Sequence, residues 1–178
     1  HKTVETYWIW NEKVEMVRRV VEENPFNSDL FFWVDIGYLR TSVTLHIVCR
    51  YKNKKWVRKE VFPSDCITVL VVEEFTGDDL KLNDESRSEI QFNNPKWRLA
   101  GGIWGGTAGA VLAWHKEYYS TLDRYMEQER FAGNDQAIMA TTCMENPSLC
   151  CMVSSPMDYW NSWFWFDVFI LSVALLHS

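Results

Sequence analysis

The stretch Leu30-Phe31-Phe32-Trp33-Val34-Asp35-Ile36-Gly37 decides how this chain is read. Five consecutive apolar residues run into one carboxylate, and a glycine follows two positions later. An apolar run without alternation is expected to be a strand buried on both faces, as at the centre of a parallel sheet. Side chains alternate along a strand, so Asp35 comes where the strand leaves the core. It can then reach the carboxyl edge of the sheet, where open α/β sheets bind ligands. A buried aspartate needs a cation, an arginine or backbone N–H groups as partner. The bland alternative is that Asp35 caps a turn for which Gly37 supplies a positive φ.

Upstream, Thr3 to Trp10 reads as a short extended aromatic stretch. Asn11 then caps a helix to about Asn24, with Val14, Val17 and Val21 at helical spacing, and Pro25 stops it. Downstream, Ser42 to Cys49 alternates as a strand and Trp56 to Phe62 returns as its hairpin partner. His46 falls on the polar side of that strand and reads as a surface residue. Ile67 to Val72 is a further apolar, β-branched run. Gly77 to Asn94, with Asp78, Asp79, Asp84 and Glu85, lacks the calcium-loop pattern and reads as a surface loop or lid.

The second signal is Trp97-Arg98-Leu99-Ala100-Gly101-Gly102-Ile103-Trp104-Gly105-Gly106-Thr107. Two glycine pairs let backbone approach a ligand or another backbone closely. The pattern is neither a P-loop nor GxGxxG, and tight strand–helix packing is the alternative. A helix follows, on which Val111, His115, Tyr118, Leu122, Tyr125 and Met126 share a face, ending near Arg130. Phe131-Ala132-Gly133-Asn134-Asp135-Gln136 then turns into another helix, to about Cys143, with Asn134 or Asp135 as its N-cap. Capping accounts for one of these residues; Asp135 with Gln136 suits a polyhydroxyl ligand.

The chain has 178 residues and a formal net charge of −6, enough for one well-cored domain and without the basic footprint of a nucleic-acid binder. Its ten Trp, ten Phe and seven Tyr fit a large core or a cleft that stacks on rings of sugar or base. Five cysteines, with no CxxC pair, signal neither zinc nor a disulfide framework, and reduced thiols are expected. The aromatic tail, Trp163 to Leu176, is too short for a spanning helix, which needs about 20 residues. It reads as a core helix or a surface for a protein partner or membrane. These features favour the cytoplasm, with a Golgi lumen as the alternative for a longer chain carrying a signal or anchor.

Together, NPFNSDLFFWVDIG ending at Gly37, AGGIWGG from Ala100 to Gly106, and FAGNDQ from Phe131 to Gln136 resemble the HtrL/YibB (WlaTC) family of glycosyltransferase-like proteins. The likeness spans most of residues 7 to 166, and the layout is similar to the GT-A glycosyltransferase fold. It implies a single α/β domain with a mixed sheet flanked by helices. Only 34 residues precede Asp35, so part of the amino-terminal nucleotide-binding half is expected to be missing, as in the carboxyl-terminal portion of a longer domain.

The resemblance implies metal-assisted transfer of a sugar from a nucleotide-sugar donor to a glycan or other hydroxyl acceptor. Asp35 would hold the divalent metal, Mn²⁺ or Mg²⁺, as first aspartate of an Asp-x-Asp motif whose second position is Gly37. Gly101, Gly102, Trp104, Gly105 and Gly106 would line the acceptor and sugar side, and Gln136 would contact the transferred sugar. Lys13 and Arg40 are candidates to share the diphosphate charge, and Asp135 is the expected catalytic base. A non-catalytic carbohydrate-binding or scaffold module is the competing class, and a subunit completing a larger complex through the tail is a third.

Overall fold

A computed structural model describes residues 3–37, 62–83, 85, 87 and 97–154. The fold is mixed α/β. Helices α1 (Val4–Glu23), α2 (Ala108–Glu127) and α3 (Asp135–Glu145) flank a sheet of β1 (Leu30–Val34), β2 (Ile67–Val71), β3 (Leu99–Thr107) and β4 (Cys150–Ser154). The strand order is β1-β3-β2-β4; β3 runs antiparallel to both β1 and β2, while β2 and β4 are parallel.

The glycine-rich β3 is therefore a central strand, and the aspartate strand β1 pairs, among the described residues, with β3 alone. This corrects the expected doubly buried parallel strand. Only Phe31 of β1 is buried; Leu30, Phe32 and Trp33 are half-covered and Val34 is exposed. A short aromatic run does not by itself distinguish an edge from a centre. What distinguishes β3 is close approach. A Cβ on Gly105 would lie 2.2 Å from the Phe31 carbonyl oxygen, and one on Gly106 would lie 3.2 Å from that of Cys66.

Helix α1 starts at Val4, seven residues before the expected cap, so the reading of 3–10 as extended does not hold. Asn11 lies within the helix because tertiary partners offset its weak helix propensity. Its amide donates to the Tyr7 and Ala132 carbonyls (both 3.0 Å), and its oxygen accepts from the Tyr118 hydroxyl (2.6 Å). The helix does end at Asn24, which adopts the left-handed conformation (φ 34°, ψ 56°) common past a helix end, ahead of Pro25.

The core joins Val14, Val17 and Val21 of α1 to Phe31, Ile67, Val69 and Leu99 of the sheet. Trp104, Trp114, Tyr118, Tyr125, Ile138 and Met139 complete its bulk. On α2 the expected Val111, Tyr118, Leu122 and Tyr125 face inward, whereas His115 is half-buried against Glu15 (2.8 Å) and Met126 is exposed. Within the polar loop Asp79 is buried, paired with the buried Arg98, which also meets Glu73 (2.9 Å) and the Glu74 carbonyl (2.6 Å).

The cysteine expectation is overturned. Cys66 is bonded to Cys151, and Cys143 to Cys150. Neither pair is visible as a sequence motif, because the parallel β2–β4 pairing and the short connection from α3 to β4 create the proximity. The expected strand 42–49 with His46 and Cys49, residues 56–61 of its hairpin partner, and the aromatic tail 163–176 lie outside the described residues. Among the described residues no helix is long and apolar enough to cross a membrane.

Candidate functional site

Three elements bring chemistry-bearing groups to one place. Hydrogen-bond pairing of β1 with β3 continues past Val34, where the Asp35 amide donates to the Gly102 carbonyl (2.8 Å). This fixes Asp35 beside the start of β3. Residue alternation puts Trp33 and Asp35 on one strand face, and the Trp33 indole Nε1–H donates to Asp35 Oδ1 (2.6 Å).

The third element is the amino-terminus of α3. Asn134 is its N-cap, its side-chain oxygen accepting from the Gln136 amide (3.1 Å). Since Asn134 caps, the second oxygen of Asp135 is available for a tertiary partner. The loop before it is pinned to α1 by Tyr7 and Phe131, whose rings meet edge-on at 5.2 Å. Gly133 is required there, since a Cβ would lie 2.7 Å from both rings.

Lys13 ties these elements together. Its ammonium Nζ donates to Asp135 Oδ2 (3.0 Å) and to the Gly101 carbonyl (3.2 Å), and lies 3.3 Å from Asp35 Oδ1. It also stands 5.8 Å from the centre of the Trp33 ring. An ammonium has three N–H donors, and three oxygens surround this one. The Lys13 and Asp135 side chains are each 8 % exposed, whereas that of Asp35 is 41 % exposed. Asp135 lies deep with both oxygens engaged, Oδ1 accepting from the Gln136 amide (3.0 Å). Asp35 is the carboxylate open to solvent.

Burial pushes the Asp135 carboxyl above its ordinary range, and the Lys13 charge pulls the other way. Burial likewise raises the Tyr118 phenol well above its usual value, with the Asp135 charge adding to it. One ammonium against two carboxylates leaves the cluster formally at −1.

Of the residues expected from sequence, Lys13, Asp35, Gly101, Asp135 and Gln136 converge, and Gly102 supplies the carbonyl that anchors Asp35. Gly101 leaves room for the cluster: its Cβ would stand 2.8 Å from Asp135 Oδ2. The Gln136 amide donates to the Leu99 carbonyl (2.6 Å), joining α3 to β3. Trp104, Gly105 and Gly106 are buried in the sheet, where packing against β1 and β2 accounts for them. Arg40 lies outside the described residues. Trp33 and the Asn11–Tyr118 pair are not marked as site residues by any sequence motif, apart from the i, i+2 spacing of Trp33 and Asp35.

An Asp-x-Asp type metal does not fit this arrangement. Oδ1 of Asp35 already accepts an indole N–H and faces the ammonium at 3.3 Å. Among the described residues no group of three His, Cys, Asp or Glu side chains could hold a metal ion. Elsewhere, an open groove of about 560 Å³ is lined by Arg87, Lys116, Tyr119, Asp123, Arg124 and Glu127. None of those residues belongs to the cluster, and Arg124 is engaged by Glu145 (2.7 Å).

A family model described as "Bacterial protein of unknown function (HtrL_YibB)" matches residues 2–174. The chain belongs to the HtrL_YibB family. No curated protein and no solved structure matches it.

Proposed function

We propose that this member of the HtrL_YibB family is a glycosyltransferase. It would move a sugar from a nucleotide-sugar donor to a glycan or other hydroxyl acceptor. The observation that carries the reading is the convergence on Lys13 of Asp35, Gly101 and Asp135, one from each of three stretches widely separated in sequence. Such transfer forms a bond from the acceptor oxygen to the sugar's anomeric carbon. It breaks that carbon's bond to phosphate oxygen, releasing a nucleoside diphosphate and delivering the acceptor proton to a base. Of the two carboxylates Asp35 is the more exposed, and this reading assigns it the acceptor hydroxyl's proton. Asp135, which the sequence suggested as base, acts in this reading by holding Lys13.

The second reading is a carbohydrate-binding module. Its support is the net −1 charge and the pairing of the Lys13 ammonium with Asp135, Gly101 and Asp35, which suit sugar hydroxyls better than a diphosphate. As for compartment, the two disulfides favour folding in an oxidising environment over the cytoplasm.

A thermal-shift panel of nucleoside diphosphates, nucleotide sugars and neutral oligosaccharides, each with and without Mn²⁺, tests the reading. Ligands that bind only the folded state raise Tm by mass action. A shift with nucleotides supports the transferase, and Asp35→Asn, which removes the base and not a nucleotide contact, should keep that shift while turnover is lost. Shifts with oligosaccharides alone support the module and defeat the transferase.

A further inference from the structure

The three oxygens around Lys13 Nζ are two carboxylates and one main-chain carbonyl: Asp35 Oδ1, Asp135 Oδ2 and the Gly101 carbonyl. That is the donor chemistry of a hard divalent cation, drawn up around an ammonium instead. Three features make Lys13 a fixture of the fold. It stands on α1 next to core residue Val14 and one turn from Val17, its side chain is 8 % exposed, and its ammonium makes two hydrogen bonds, to Asp135 and Gly101, with Asp35 at ion-pair distance. Gly101 permits the arrangement, because any side chain there would strike Asp135.

We infer that Lys13 is the resident cation of this site. The wild-type cluster takes no divalent metal, and a divalent-cation site appears only when the ammonium is removed. Coulomb attraction supports the exchange. With Lys13 present, an entering dication would meet a like charge within contact distance of both carboxylates. With Lys13 absent, two carboxylates and a carbonyl face one void, and Asp135 is buried with no counter-charge. A dication then meets an oxygen shell that water can complete. The inference goes beyond the proposed transfer reaction and does not depend on which sugar or nucleotide the protein takes.

The test uses EDTA-treated full chain with Mn²⁺ alone, and no nucleotide. Binding is read as loss of the free-Mn²⁺ electron paramagnetic resonance signal and as a saturating rise in Tm. Expected results are no signal loss and no shift for wild type, and both for Lys13→Ala, with the gain abolished in Lys13→Ala/Asp35→Asn. Lys13→Met keeps the apolar stem and serves if Lys13→Ala does not fold. Mn²⁺ binding by wild type that Asp35→Asn removes overturns the inference, because Asp35 would then be a metal ligand with Lys13 in place. A folded Lys13→Ala or Lys13→Met that gains no Mn²⁺ binding overturns it as well. Should neither variant fold, the wild-type titration decides alone. Nucleotide binding by a metal-indifferent wild type upholds this inference and the transferase together; its absence removes only the transferase.

Discussion

Lys13 Nζ on α1 lies 3.0 Å from Asp135 Oδ2 on α3, 122 positions along the chain, and both side chains are 8 % exposed. This contact joins α1 to α3 beside β3. Asn134, next in sequence to Asp135, serves only its own helix. The two neighbours therefore differ sharply in what they hold.

Their alanine variants should differ accordingly. Breaking a buried ion pair costs about 3–5 kcal/mol, and Asp135→Ala is expected near the low end because Asp35 still compensates part of the Lys13 charge. Asn134→Ala removes a cap and should cost about 1 kcal/mol. Urea unfolding of both variants measures this. Equal losses would show that the Lys13–Asp135 contact contributes nothing beyond capping.

The glycines form a graded series. Gly105→Ala would put a methyl group 2.2 Å from the Phe31 carbonyl oxygen and should prevent β1 from pairing, seen as loss of cooperative unfolding. Gly101→Ala meets the Asp135 carboxylate at 2.8 Å, so it should leave the sheet intact yet weaken the Lys13 cluster. Gly109 lies in a helix, and a methyl group added there would find nothing within 4 Å. Gly109→Ala should therefore stabilise by about 0.5–1 kcal/mol. A Gly101→Ala melt indistinguishable from that of Gly109→Ala would contradict this order.

The disulfides should contribute unequally. Cys66–Cys151 spans a sequence separation of 85 and Cys143–Cys150 one of 7. Chain-entropy reasoning gives about 4–5 kcal/mol for the long loop and about 2–3 kcal/mol for the short one. Paired Cys→Ser variants, compared by urea midpoint, check the ranking. A larger loss from the short loop would mean that local packing around β4, and not loop closure, dominates.

Alkali should unfold the protein through its buried and half-buried phenols. Burial raises Tyr125 and Tyr119 from the ordinary 10.0 to about 12, and Tyr118 well above 10.0. A raised pKa means that the folded state holds the proton longer. The associated stability is fully present below pH 10 and is lost as pH climbs toward 12 and beyond. Tm should fall across that window while phenolate absorbance from these residues lags until unfolding. A flat Tm from pH 10 to 12 would refute their burial.

Much of the local structure is written in the sequence. Asn24 and Pro25 end α1, the β-branched run from Ile67 makes β2, Thr107 caps α2 with its hydroxyl accepting from the Ala110 amide (3.2 Å), and Asn134 caps α3. These signals act within a few residues, through φ restriction, side-chain capping and the matching of apolar spacing to element period. The three stretches that supply Lys13's partners, or lie beside them, were also visible as motifs.

What tertiary structure alone decided is which partner each motif residue found. Sequence offered Asp35 a metal, but the packing of α1 against β1 delivers an ammonium. It left capping open between Asn134 and Asp135, and the position of Lys13 draws Asp135 into the cluster. Its glycine pairs suggested a ligand, yet at Gly105 and Gly106 the close neighbour is the backbone of an adjoining strand. The cysteines carried no motif because pairing depended on β2 and β4 lying parallel. Contacts between residues far apart depend on strand order and helix placement, which minimise exposed apolar surface over the whole chain. No local pattern encodes that sum.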